Sequence, residues 1–318
     1  LAVFILGCIG CYLSSTIHML LLNRFVQAFG GSIGSVLAQA VCRDAFHGPA
    51  LGRVYSSVGS SLAIFPAIGP VVGGMIATRF GWPSLFLFLI LCAIAVSLLV
   101  IFLLPETHHT DNRKPVSLIN VALRLLQDKT VIGCGLVVAA CNGIAFSYFA
   151  EAPFYLIKRL GLSPSTYGLS FIAIASTTMM GGILSKRLHK AHTAKTIMQY
   201  GLIFVLLSTA VFACFAVLHA IGHPLPEKLM IAVTILSQMT TMFGVCMATS
   251  NALAMALVDY KWCIGTASSL FGFFYYGWIA LFTFGMGYLH NGTLLVMPLY
   301  FLCIAAFLLV IQRFMLHR

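Results

Sequence analysis

The sequence predicts an all-α integral membrane protein with about ten transmembrane helices, on three observations. Of its 318 residues, 60% are hydrophobic and only 8% charged, with a mean hydropathy of +1.01. A soluble domain carries about 25% charged residues, so these polar side chains cannot cover a surface that faces water. The apolar residues form runs long enough to cross a bilayer, which takes about 20 residues per helix. The basic residues collect on alternate loops between those runs, as cytoplasmic loops do in bilayers.

The runs cover residues 1–16, 18–42, 54–77, 84–104, 131–157, 167–185, 197–220, 229–257, 263–288 and 294–312. Of the 18 lysines and arginines, thirteen lie on one alternate set of loops, among them Arg43, Arg53, Arg113, Lys114, Lys186, Lys190 and Lys261. The other set holds Arg79, Lys158, Arg159 and Lys228, and Arg24 sits inside a run. This asymmetry predicts that the basic loops, the C-terminus and residue 1 are cytoplasmic. The net charge of +11 is therefore a topology signal and not a nucleic-acid footprint.

Residues 105–130 form a polar, basic linker between four runs and six. Within it Leu118, Val121, Ala122, Leu125 and Leu126 are spaced to form the apolar face of a surface helix. The predicted organisation is an N-terminal bundle over 1–104, the linker over 105–130 and a six-helix bundle over 131–318. The chain opens at Leu1 inside an apolar run, so two equal halves of six would lack two spans at the start.

Ten cysteines are spread through apolar runs, where cysteine packs as a small hydrophobe. Cys8 and Cys11 form a C-x-x-C without a second pair, and His108, His109, His189 and His192 have no metal-ligand spacing. No phosphate-binding loop or catalytic triad spacing is present, so neither ATP-driven pumping nor hydrolysis has support. No cofactor is expected, and the chain is not read as an enzyme.

Arg24 lies about 10 Å into its span at about 1.5 Å per residue, where an unpaired charge costs at least about 3 kcal/mol. Arg24, Gln27, Gly31 and Gly34 share one helical face, which suits a polar cavity beside a close helix contact. The alternative is an arginine whose stem snorkels to the interface. In the next span Gly59, Pro66, Gly69, Pro70, Gly73 and Gly74 leave little side-chain bulk and remove backbone hydrogen bonds. Such a helix can bend and gate, or simply pack closely.

The string RFVQAFGGSIGSVLAQAVCRDAF from Arg24, the GPVVGG beginning at Gly69 with Pro66 upstream, and FGWPSLF from Phe80 to Phe86 resemble the major facilitator superfamily. The nearest resemblance is to its twelve-span drug:proton antiporter group, in the bicyclomycin and chloramphenicol resistance (Bcr/CflA) branch. That resemblance implies a major facilitator fold, with about ten helices present of an expected twelve. It implies two bundles alternating around a central cavity, proton coupling through Arg24 and control of leakage by the Gly59 to Gly74 helix. The substrate would be a drug-like or metabolite-like molecule, with protons and membrane lipid as the other partners and a bacterial inner membrane as the location. A proton-linked uptake permease and a truncated, non-transporting membrane protein are the alternatives.

Glu151 is the one carboxylate that falls inside a run. An intramembrane acid can take up and release protons, yet its place near the outer end, close to Lys158, favours a hydrated interfacial acid. Asp44, Asp128 and Asp259 fall at cytoplasmic helix ends. Asn142, Phe146, Phe149, Gln238, Asn251, Tyr275 and Tyr276 offer aromatic surface with a few polar groups, which suits an amphipathic substrate cavity.

Overall fold

A computed structural model of the protein describes residues 1–45, 68, 69, 71–104, 117–222 and 225–315, with the backbone alone at Ile33, 35–40, 42–45, 164, 165 and Lys261. The described residues are helical apart from short turns. They fall in two compact units, Leu1–Pro115 and Val116–Arg318.

The first unit contains α1 (Ala2–Tyr12), α2 (Ile17–Ala45), α3 (Val71–Phe80) and α4 (Ser84–Leu103). The α1 helix, at 11 residues, is shorter than the predicted run, because the Leu13–Ser15 stretch leaves the helix. The α2 helix is 29 residues long and packs along α1. Gly81, at φ +81°, takes a left-handed conformation that disfavours other residues and turns the chain from α3 into α4.

The second unit begins with α5 (Leu118–Gln127) and continues through α6 (Lys129–Ala152), α7 (Pro164–Leu188), α8 (Ala194–Ala220), α9 (Glu227–Ala256), α10 (Ile264–Leu289) and α11 (Val296–Met315). Several of these starts have a local cause. The Asp128 carboxylate accepts from the Thr130 and Val131 amides at 2.9 and 3.3 Å and caps α6. Ser163 and Thr193 cap α7 and α8 by accepting from the amides three residues on. Pro153 lacks the amide that would continue the α-helical ladder, and the chain runs on as a π-helical segment over Pro153–Arg159.

Among the described residues seven helices are long and apolar enough to cross a membrane, namely α4 and α6 to α11. With α1, α2 and α3 they occupy the ten predicted runs. Residues 54–67, which carry Gly59 and Pro66, and also Pro70, lie outside the described residues. The core of the second unit is built by Val137, Cys141, Ile144 and Tyr148 of α6 against Leu202, Met230, Ala248 and Phe301.

In the second unit the α8–α9 crossing brings two backbones into contact. On α8 and α9, a methyl group added to Gly201 would sit 2.6 Å from the Gly244 carbonyl, and one on Gly244 would sit 2.5 Å from the Gly201 carbonyl. Two turns away the same helices are joined again, where the Ser208 hydroxyl donates to the Ser237 carbonyl at 2.5 Å and meets the Thr241 hydroxyl at 2.8 Å. Small residues and hydroxyls at a helix interface are how membrane helices associate when lipid is as apolar as leucine.

The apolar face of α5 is shared between the bundle and the outside. Val121 and Leu125 are buried, but Leu118 and Leu126 are exposed together with Ile119 and Leu123. Val121 and Leu125 pack into the bundle, Ala122 and Leu126 line a cavity against α6 and α10, and the remaining apolar side chains face outward, as suits a helix at a membrane interface.

Candidate functional site

In the first unit α1 and α2 cross at glycines. A methyl group on Gly7 or Gly30 would collide with the backbone of Gln27 or Phe4, and one on Gly10 with the Asn23 side chain. This closeness buries Gln27 against Cys8, whose sulfur accepts from Gln27 Nε2 at 2.9 Å. Arg24, one turn earlier, donates from Nη1 to Gln27 Oε1 at 2.6 Å, and its guanidinium stands 5.8 Å from the centre of the Phe86 ring. The arginine is exposed at the surface of the unit. Its head is therefore met by a neutral amide and an aromatic face, and both strengthen away from water.

The expected face of Arg24, Gln27, Gly31 and Gly34 divides. Gln27 and Gly30 face α1, Gly31 touches the Phe4 ring at 3.2 Å from an added methyl, and Gly34 has open space beside it. Of the described glycines of the proposed gating helix, Gly73 lies 3.7 Å from Leu85 on the same measure, while Gly69 and Gly74 face open space.

In the second unit the expected cavity residues separate into three places. Phe146 and Phe149 of α6 lie edge to face at 6.2 Å, and Phe149 stacks at 5.6 Å on Phe171, which meets Tyr167 at 5.0 Å. Asn142, on the same helix, returns its amide to the Val138 carbonyl at 2.8 Å. Asn251 is instead buried between helices, donating to Ser185 Oγ at 2.9 Å and to the Met247 carbonyl at 2.7 Å, which makes it a tie between α9 and α7. Gln238 is buried with Nε2 lacking a protein partner. Tyr275 and Tyr276 of α10 have ring centres 4.6 Å apart with the planes tilted by 35°, and Tyr276 is exposed.

Glu151 is 8% exposed, near Lys158 as the sequence places it, and its Oε1 is 2.6 Å from Nδ1 of His290 in the turn after α10. Among the described residues it is the one buried carboxylate. The Phe154 ring packs 5.4 Å from the imidazole. A cavity of about 220 Å³ opens here, lined by Glu151, Phe154, Tyr155, Lys158, Arg159, His290 and Gly292 to Leu294. Phe154, Tyr155, Lys158 and Arg159 of this lining all come from the π-helical segment. His290 was not singled out from sequence, because 139 residues separate it from Glu151.

At the opposite end of α6, Asp128 receives a third bond. The Tyr260 hydroxyl donates to Asp128 Oδ2 at 3.2 Å, and the Arg124 guanidinium lies 5.8 Å from the Tyr260 ring centre. Burial, and then the Asp128 charge, push the Tyr260 hydroxyl above its ordinary value of 10.0, so it is a donor at neutral pH. A group raised by folding stabilises below its unfolded value, and that contribution disappears as pH climbs through the folded value. Tyr260→Phe is expected to lower stability by about 0.5–1.5 kcal/mol. Thermal melting in detergent checks this, and the difference between the two proteins should shrink at strongly alkaline pH.

Residues 1–283 match the Major Facilitator Superfamily. A Rickettsia felis protein named as a transporter is 35% identical over 301 residues, covering 92% of this chain and 73% of that protein. A bicyclomycin resistance protein homolog of Haemophilus influenzae is 29% identical over 252 residues, covering 78% of this chain and 61% of its own length. The multidrug resistance protein MdtL of a Shewanella strain is 25% identical over 283 residues, covering 87% of this chain and 67% of that protein. In fold, the chain resembles the inward-facing, occupied structure of a bacterial homolog to the human lysosomal transporter Spinster. The TM-score is 0.64 at 14% identity, covering 99% of this chain and 81% of that one. With the match spanning most of its length, the chain belongs to the Major Facilitator Superfamily.

Proposed function

We infer that this protein exports drug-like or metabolite-like small molecules in exchange for protons, by alternating access across a bacterial inner membrane, with both termini cytoplasmic. The observation that carries the reading is Arg24: a permanent cation inside an apolar helix, supported by the neutral Gln27 amide and the Phe86 ring. A charge inside a span is costly, rare and by default a candidate for function. Relatives named for bicyclomycin and multidrug resistance support efflux as the direction. The bends expected from Pro66 and Pro70, with Gly59, Gly69, Gly73 and Gly74, make that helix the candidate gate. Phe146 and Phe149 supply the aromatic surface of the substrate cavity, with Asn142, Gln238, Tyr275 and Tyr276 as its other candidates.

The test is ethidium efflux from cells lacking their own exporters and expressing the full coding sequence, with and without a protonophore. Retention of the dye on collapse of the proton gradient supports exchange. Efflux that survives the protonophore, or uptake in place of efflux, overturns it. For the orientation, a cysteine at Lys190 is expected to resist a membrane-impermeant maleimide added outside intact cells, and labelling there would invert the topology.

A further inference from the structure

We propose that Glu151 and His290 form a proton-binding site of the second unit, open to the external solution through the cavity beside them. The inference rests on the functional reading above for its sidedness and for its use in transport, but not for its chemistry.

The Glu151 carboxylate is buried, and a buried anion is stable only when paired or hydrogen-bonded. Its partner is an imidazole, the side chain that gains and loses charge between about pH 5 and about pH 8. The 2.6 Å contact uses Nδ1 and leaves Nε2 as the ring's second proton-binding atom. With Nδ1–H donated to Glu151 Oε1 and Nε2 unprotonated, the pair carries one negative charge. A proton arriving from the cavity binds Nε2, and the ring becomes an imidazolium still bonded to the carboxylate. The pair is then neutral, and loss of the proton from Nε2 restores the first state.

The surroundings suit exchange with bulk water and not permanent sealing. The His290 side chain is 36% exposed while that of Glu151 is 11% exposed, so the pair joins a wet face to a dry one. The other ionisable groups lining the cavity are Lys158, Arg159 and Tyr155, all from the π-helical segment, and the lining holds none from α7, α9 or α11 among the described residues. The Phe154 ring packs against the imidazole on one side.

The site lies at the end of α6 remote from α5, about 33 Å from Lys129 along a helix rising about 1.5 Å per residue. If α5 rests on the cytoplasmic surface, the cavity faces outward. A pair that is negative when empty and neutral when loaded changes the cost of burying this end of the unit. Proton occupancy can thereby bias which conformation is favoured.

The test is carbethoxylation of His290 by diethylpyrocarbonate, which attacks the neutral imidazole, mapped by mass spectrometry on the purified chain between about pH 5 and about pH 8. Wild-type His290 is expected to react slowly at the acidic end and severalfold faster at the basic end. In Glu151→Gln, which no longer stabilises the imidazolium, the acidic-end reaction should be severalfold faster than in wild type. Should that variant fail to fold, Glu151→Asp is expected to give the same change in smaller degree. No reaction at His290 at any pH, or an unchanged profile in a folded variant, overturns the site. For sidedness, Thr293→Cys at the cavity wall is expected to react with an impermeant maleimide from outside, and reaction from the cytoplasmic side alone overturns the outward opening. A wild-type protein that fails to move ethidium with the gradient sinks the efflux reading, and the labelling still decides the proton site.

Discussion

Gly201→Leu is expected to abolish recovery of folded protein, and Gly201→Ala to lower its stability by at least about 1–3 kcal/mol. The reason is what the new side chain meets. A single methyl group at Gly201 lies 2.6 Å from the Gly244 carbonyl oxygen and 2.7 Å from the Ala248 amide, both backbone atoms with no rotamer to change. The α8–α9 crossing must then open along its whole length, which uncovers Val205, Ser208 and Thr241. A control separates this effect from the general response of helices to losing glycine. Gly287 of α10 has nothing within 4 Å of an added methyl, and Gly287→Ala should be neutral or stabilising by up to about 1 kcal/mol. Fluorescence-detected size-exclusion chromatography and melting in detergent read both. Equal behaviour of Gly201→Ala and Gly287→Ala would show that the two backbones are not in contact.

Arg24→Ala carries the second large effect, a fall in gradient-driven efflux of about tenfold or more. A charge-assisted hydrogen bond is worth about 1.5–3 kcal/mol, and about 1.4 kcal/mol is a factor of ten. Arg24→Lys should recover part of the loss, since an ammonium can still reach Gln27 but cannot lay a planar cation against Phe86. Gln27→Leu should resemble Arg24→Ala in direction and be milder, because the Phe86 contact remains. The measurement is the initial rate of ethidium efflux normalised to protein in the membrane. Full activity in Arg24→Ala would reduce the arginine to an interfacial side chain.

What could be read in advance follows from which forces are local. A bilayer fixes the length of an apolar run, so the span from Ser84 to Leu103 was predicted within one residue of its end. Asp128 and the amphipathic stretch after Ser117 announce their helices by capping and periodicity. The partner of a residue is another matter, since it is set by the packing of distant segments. Glu151 is visible as an acid in an apolar run, but its partner stands beyond four intervening helices. Gly30 and Gly31 are indistinguishable in sequence, and the register of α1 decides that Gly30 meets the Phe4 backbone and Gly31 its ring. Asn251 was read as a substrate contact by its chemistry, and the structure turns it toward Ser185 as a tie between helices. A short polar side chain in an apolar helix serves either purpose, and which one depends on the direction it faces.

The glycine contact and the hydroxyl contact between α8 and α9 lie seven residues apart on each helix, from Gly201 to Ser208 and from Ser237 to Gly244. At about 1.5 Å per residue that spacing is about 10 Å. Two rods joined at one point can pivot and slide, whereas two joined at separate points can do neither. The α8–α9 pair therefore acts as a stator, and α7 is held to it in the same way by the Gly181–Phe243 approach and the Asn251–Ser185 bond.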